Sequence, residues 1–139
     1  MRIFLELTFG ILAAAVAIWV WRVFRLRRHK GIGLAAFIEY FQARNISPNV
    51  SAAVYDHFRH LGVFKSFQPA PADQLGGIYG IAYEDVDDSL MQILAALHLG
   101  TPSNSNLMTW PKPLDTLEDV VNWVSWVQSI ARNVGSSDS

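Results

Sequence analysis

The chain has 139 residues, 51 % of them hydrophobic and 17 % charged, with a formal net charge of −1 and no cysteine. That length holds one domain and not two once a membrane segment is set aside, and the lack of cysteine excludes a disulfide framework and any thiolate metal site. Residues 1–30 carry six basic side chains against Glu6 alone, whereas residues 31–139 carry five basic and eleven acidic ones, so a basic neck joins an acidic domain and points to a surface or partner of mixed sign.

Ile3 to Trp21 is a run of nineteen residues in which Glu6 is the only charge. As a helix it reaches roughly 28 Å, the thickness of a bilayer's hydrocarbon core. Trp19 and Trp21 stand at its far end, where amphipathic rings collect at the headgroup level, and Arg22, Arg25, Arg27, Arg28 and Lys30 follow at once. A lysine and arginine excess marks the cytoplasmic flank, so the N-terminus faces out and the chain from about residue 22 faces in. A cleaved secretory signal fits badly, because only Arg2 and the terminal amine precede the apolar run and the dense basic charge comes after it. A core helix fits no better with an arginine cluster directly behind the run. Residues 1–30 are therefore read as a single transmembrane anchor in a bacterial-type inner (plasma) membrane. Gly10 and Ala14, or Ala13 and Ala17, have the small-xxx-small spacing of packed membrane helices, a spacing that any alanine-rich span contains.

Over residues 31–46 the spacing of Leu34, Phe37, Ile38 and Phe41 predicts a connecting helix. It either continues the anchor or turns along the surface, with Gly31 and Gly33 permitting a bend. Ser47-Pro48 is a helix start, serine as N-cap and proline at the first helical position. Val50, Val54, Phe58 and Leu61 form the stripe of that helix, and Gly62 stops it. Residues 63–82, with Pro69, Pro71 and Gly76-Gly77, read as a long loop that Phe64, Phe67, Leu75, Ile78 and Tyr79 pin down. A second helix begins near Glu84, its first turns loaded with Glu84, Asp85, Asp87 and Asp88, which the helix dipole favours. Val86, Leu90, Ile93, Leu94 and Leu97 are its buried stripe, and Gly100-Thr101-Pro102 ends it. A loop over 101–115 offers Leu107, Met108 and Trp110 as plugs into the core. The last helix opens with Asp115 or Thr116 as cap, since both pairs, Asp115 with Glu118 and Thr116 with Asp119, have capping-box spacing. Leu117, Val120, Val121, Val124, Val127 and Ile130 supply its stripe. Residues 47–134 thus form one helical domain and 135–139 a frayed polar tail. There is no internal repeat and no strand pattern.

Little of this carries chemistry. His57 and His60, at i, i+3, lack a third ligand, so no metal is expected. His29 belongs to the basic neck and His98 to a helix end. The acids from Glu84 to Asp88 lack the spacing and glycine of a calcium loop. Gly76-Gly77 and Gly80 lack the lysine and strand of a phosphate loop, and no Ser/His/Asp set is indicated. A domain this acidic does not hold nucleic acid by phosphate contacts. Trp110, Trp123 and Trp126 read as core or interface residues.

The last ninety residues resemble an acyl carrier protein in layout: a first helix over 47–61, a long loop over 63–82, an acidic second helix over 84–99, a second loop, and a last helix over 116–131 with a Thr-hydrophobic-x-Asp start. In that family an Asp-Ser-Leu at the mouth of the second helix carries phosphopantetheine on its serine. Two registers are open. In one, Tyr79-Gly80 matches the family's Leu-Gly and Tyr83 falls where the serine belongs. In the other, Asp88-Ser89-Leu90 is the Asp-Ser-Leu itself, after too long a loop and inside a helix already begun. The first register is preferred, because a carrier serine must stand where a transferase can reach it. The resemblance then implies a degenerate carrier that has lost the prosthetic group and keeps the acidic helix for docking. The sequence reading is an all-α, non-enzymatic, membrane-tethered interaction module without cofactor. Its partner surface is Glu84, Asp85, Asp87 and Asp88, and its partners are the membrane and other membrane or membrane-associated proteins. The alternatives are a working carrier with phosphopantetheine on Ser89, or a structural accessory subunit of a membrane complex.

Overall fold

A computed structural model describes residues 1–62, 64–101 and 112–136, apart from the side chains of Arg2 and Leu5. The expected core plugs Leu107, Met108 and Trp110 lie outside the described residues. The chain divides into two units, residues 1–30 and 31–139. Helices dominate both. Among the described residues there is no strand, only an isolated antiparallel bridge between Gln74 and Thr116.

The first unit is one helix, α1 (Arg2–Arg27). No proline interrupts it, and Thr8 turns its hydroxyl back to donate to the Phe4 carbonyl at 2.8 Å, so that polar group adds no unmet hydrogen-bonding demand to an apolar run. The segment Glu6–Arg27 is long and apolar enough to cross a membrane, and none of its most apolar stretch is buried. At its basic end the Arg28 guanidinium lies 4.3 Å over the Phe24 ring and that of Arg25 5.4 Å over Trp21, so the last turns interleave cations with aromatic faces.

The second unit is built from α2 (Leu34–Gln42), α3 (Pro48–Leu61), a short α4 (Leu75–Tyr79), a 3₁₀ turn (Tyr83–Asp85), α5 (Val86–Ala96) and α6 (Leu117–Gly135). Helix α3 is central, packing against α2, α5 and α6. Its stripe of Val50, Val54 and Phe58 is fully buried, but Leu61, expected at the stripe's end, is 44 % exposed. The helix reaches its last turn there, and the core has already closed over Phe58. Helix α2, expected as a connecting helix, also contributes to the core: Phe37 and Phe41 are fully buried, their rings 4.9 Å apart, with Tyr55 of α3 5.1 Å from Phe37. Burying each such ring contributes about 1.5–3 kcal/mol, which is why the stripe at 37 and 41 folds onto the bundle.

Helix α6 starts as a capping box. Thr116 Oγ1 accepts from the Asp119 amide, and the Asp119 carboxylate accepts from the Thr116 amide at 2.9 Å, so of the two candidate caps Thr116 is the one used. The loop before α4 satisfies the next two free amides of the helix: Leu117 N donates to the Asp73 carbonyl and Glu118 N to that of Pro71. Ser47 does sit at the N-cap of α3, but it caps with its backbone carbonyl, which accepts from Val50 and Ser51, and not with its hydroxyl.

Two helix ends depart from expectation. Helix α5 stops at Ala96, short of Gly100: His98 adopts a left-handed φ of 54°, and the Leu99 amide returns to the Leu94 carbonyl at 2.9 Å. That is a Schellman closure with histidine where glycine is usual. At Gly62 the backbone is extended, so glycine is not needed for a left-handed turn. It is needed for space, since a Cβ there would lie 2.7 Å from the Phe67 ring.

Candidate partner-binding face

The acidic residues cluster because of how α5 begins. Ala82 is extended, the Asp85 amide closes a 3₁₀ turn onto the Ala82 carbonyl at 2.9 Å, and the α-helix proper starts at Val86. From there the 3.6-residue period sets the two faces. Val86, Ser89, Leu90, Ile93 and Leu94 turn inward, leaving Glu84, Asp85, Asp87 and Asp88 exposed. Asp85 occupies the N-cap position, and no side-chain capping bond is made there. The carboxylates stand at the end of the helix that its dipole makes favourable for negative charge. Tyr83, 77 % exposed, stands beside them, so this face offers an aromatic ring amid four negative charges.

Ser89 is placed otherwise. It is the fourth residue of α5 and only 9 % exposed, on the side of the helix that packs inward.

Among the described residues no group of three His, Asp or Glu side chains is arranged to hold a metal ion. His60 Nδ1 lies 2.7 Å from the Asp56 carbonyl oxygen and 3.6 Å from its carboxylate. His57 is half-buried against Phe58, with ring centroids 5.2 Å apart, and its Nε2 is buried with no hydrogen-bond partner. Burial lowers its pKa below the ordinary 6.5; the Asp56 charge opposes that shift and His60 adds to it.

One polar constellation was not foreseen from sequence. Asp73 is 6 % exposed, and its Oδ2 accepts from the Tyr79 hydroxyl and from the Ala70 amide, each at 2.8 Å. Burial, and then the neighbouring Asp73 charge, pushes the Tyr79 phenol far above its usual range. The Tyr79 ring also stacks edge-on against Phe58 and Phe67 at 4.9 and 5.6 Å. This is structural chemistry: it ties the loop to α4 and, through the Asp73 carbonyl, to the start of α6. An Asp at i and a Tyr at i+6 in a loop give no periodic signal by which to find it.

Trp123 is buried and Trp126 partly so, as core residues; Trp110 lies outside the described residues. Comparison with protein-family models, with curated proteins and with solved structures gives no match.

Proposed function

We propose that the chain is a membrane-tethered, non-enzymatic interaction module: α1 is a single-pass anchor in a bacterial-type plasma membrane, N-terminus out, and the bundle captures membrane-associated partners with Glu84, Asp85, Asp87 and Asp88. The observation that carries it is the pairing of a long, apolar, unburied helix with an exposed acidic face on the folded domain that follows. A tether raises the effective concentration of a modest docking face toward other membrane-bound proteins, and charge complementarity sets partner choice and encounter rate.

Within this reading the bundle is a degenerate carrier-like domain. Two placements support it: position 83 carries an exposed tyrosine where that layout requires a modifiable serine, and Ser89 is buried in a formed helix. A transferase would have to unwind α5 to reach the Ser89 hydroxyl.

The test is co-purification in mild detergent from the native host. Replacing Asp85, Asp87 and Asp88 by Asn, or raising the salt, weakens recovery of the partner while the fold survives. A partner retained by the Asn variant but lost on deleting residues 1–30 would overturn the docking face in favour of a structural subunit held by α1. A mass increment of one phosphopantetheine arm, absent in Ser89→Ala, would make the protein a working carrier.

A further inference from the structure

Opposite in charge to the acidic face is a small surface at the end of α3. Resting on the reading of α1 as a bilayer helix, we infer that Arg59, His60, Leu61, Phe64 and Lys65 form a second membrane contact, which seats the bundle on an anionic lipid surface.

The first support is charge. Only five lysines and arginines occur from residue 31 onward, and two of them, Arg59 and Lys65, line one open hollow of about 470 Å³ together with His60, Gly62 and Phe64. Among the described residues no carboxylate lines it. Asp56, the nearest acid along α3, is faced by His60 at 3.6 Å. Cations on a flexible stem beside a concave surface suit the oxygens of anionic headgroups.

Apolar exposure is the second. Leu61 is 44 % exposed and Phe64 is only partly buried. A single exposed leucine is ordinary. Leucine and phenylalanine set between arginine and lysine have the composition of segments that lie in a membrane interface, apolar groups entering the acyl boundary and cations staying at the headgroups.

Position is the third. The turn that carries Lys65 is fastened to the residues where the bundle begins. Gly31 lies so close to Gln68 that an added Cβ would stand 1.5 Å from the Gln68 carbonyl oxygen. Next to it the Ile32 amide donates to the Pro69 carbonyl at 3.2 Å, and the Tyr55 hydroxyl of α3 donates to the Ile32 carbonyl at 2.9 Å. Only residues 28–30 separate Gly31 from the last residue of α1. Four Cα-to-Cα steps reach at most about 15 Å, so the chain allows the Gly31 end of the bundle, with the Gln68–Pro69 segment packed on it, to approach a bilayer that α1 crosses. The acidic face is out of the way. Gln92, Ile93 and Ala96, late in α5, share a hollow with His60 and Leu61, which leaves Asp87 and Asp88 at the other end of a helix about 16 Å long. Seating the basic end on lipid therefore leaves the acidic end clear for a protein.

The test uses the full chain reconstituted into vesicles, and the lack of native cysteine allows single labels. Spin labels are placed one at a time at Leu61→Cys, at Asp88→Cys and, within α1, at Val16→Cys. In vesicles with roughly a third phosphatidylglycerol, the Leu61 label should be shielded from a water-soluble relaxation agent and the Asp88 label should not. In pure phosphatidylcholine, in high salt, or with Arg59→Gln and Lys65→Gln, the seated population should fall by about fivefold per cation removed. Equal accessibility of the Leu61 label in both lipids overturns the inference, as does shielding that persists without the two cations. A Val16 label open to the aqueous agent would instead overturn the anchor, and this inference with it.

Discussion

Helices α1 and α6 are the two longest in the chain, at 26 and 19 residues, and they treat apolar side chains in opposite ways. In α6 the apolar residues recur on one stripe, and Val120, Val121 and Val124 are fully buried. In α1 they run around the whole cylinder: Ile11, Leu12, Val16, Ile18, Trp19 and Val20 are each more than half exposed. A stripe needs one neighbour, and the bundle supplies it. A helix apolar on every side needs an apolar medium on every side, and its satisfied backbone makes a bilayer an acceptable one. The same residue types, valine and leucine, therefore make a core in one place and an unburied apolar cylinder, assigned above to lipid by proposal, in the other, and arrangement decides which.

The largest effect should come from breaking α1. Leu12→Arg combined with Val16→Arg places two charges near the middle of the span, at roughly 2.5–3.5 kcal/mol each. The variant should leave the membrane fraction on alkaline extraction. Val124→Arg in α6 should do the reverse, with the bundle unfolded and the chain still membrane-bound. If the double variant resisted extraction, α1 would not be the lipid-facing element and the contrast with α6 would collapse.

Within the bundle, Leu94→Ala should cost about 2–5 kcal/mol, since that side chain is 1 % exposed at the centre of α5. Leu61→Ala should stay within about 0.5 kcal/mol in pure phosphatidylcholine, where the basic surface is not seated and Leu61 is simply an exposed position. Urea unfolding of the full chain in nanodiscs checks both. Equal costs would mean that the end of α3 is buried after all and would remove the surface assigned to lipid.

Periodicity carried most of what sequence could tell. The stripes at Val50 to Phe58, at Val86 to Leu94 and at Leu117 to Val127 are buried, because each repeats often enough along one face to be read without the fold; of the stripe expected at Leu34, Phe37, Ile38 and Phe41 the two phenylalanines are buried, Ile38 is partly buried and Leu34 is 44 % exposed. Features that depend on one contact were not legible. Leu61 matches the stripe by spacing, and only the end of the core at Phe58 exposes it. Helix α4 has five residues, two of them glycine, too short for any period to show. The left-handed residue ending α5 is His98, although Gly100 stands two positions on as the more obvious stop. For the acidic face, sequence located the four carboxylates and the structure adds Tyr83 beside them. It also turns Ser89 inward, which no spacing argument alone could show.

Smaller effects test the seam between the loop and α6. Tyr79→Phe removes the hydroxyl bonded to the buried Asp73 and should cost about 1–3 kcal/mol. Thr116→Ala removes one half of the capping box and should cost about 0.5–2 kcal/mol. Because Asp119 also accepts from the Asp115 amide at 3.1 Å, the cap is not lost entirely, and the lower part of that range is expected. A silent Tyr79→Phe would show that the loop is held by its apolar residues alone.

The smallest effect concerns His57, and its sign follows from burial. The imidazole sits half-buried between α3 and α5, beside Gln92 and Ile93, with Asp56 and His60 as the titratable groups facing it. Burial disfavours its charged form and lowers its pKa below 6.5 in the folded protein. Above pH 6.5 the group is neutral in both states and contributes nothing to the pH dependence. As the pH falls below 6.5 the unfolded chain takes up the proton first, so stability declines until the folded-state pKa is also passed. His57→Gln keeps a polar side chain of similar reach and removes the titration. Urea midpoints between pH 7.5 and 5.5 should therefore fall for the native chain and fall less for the variant, with the two converging on stability profiles that differ only below pH 6.5. Parallel profiles would mean that the orphaned Nε2 is reached by water or a partner, and that the hollow between α3 and α5 is wetter than its packing implies.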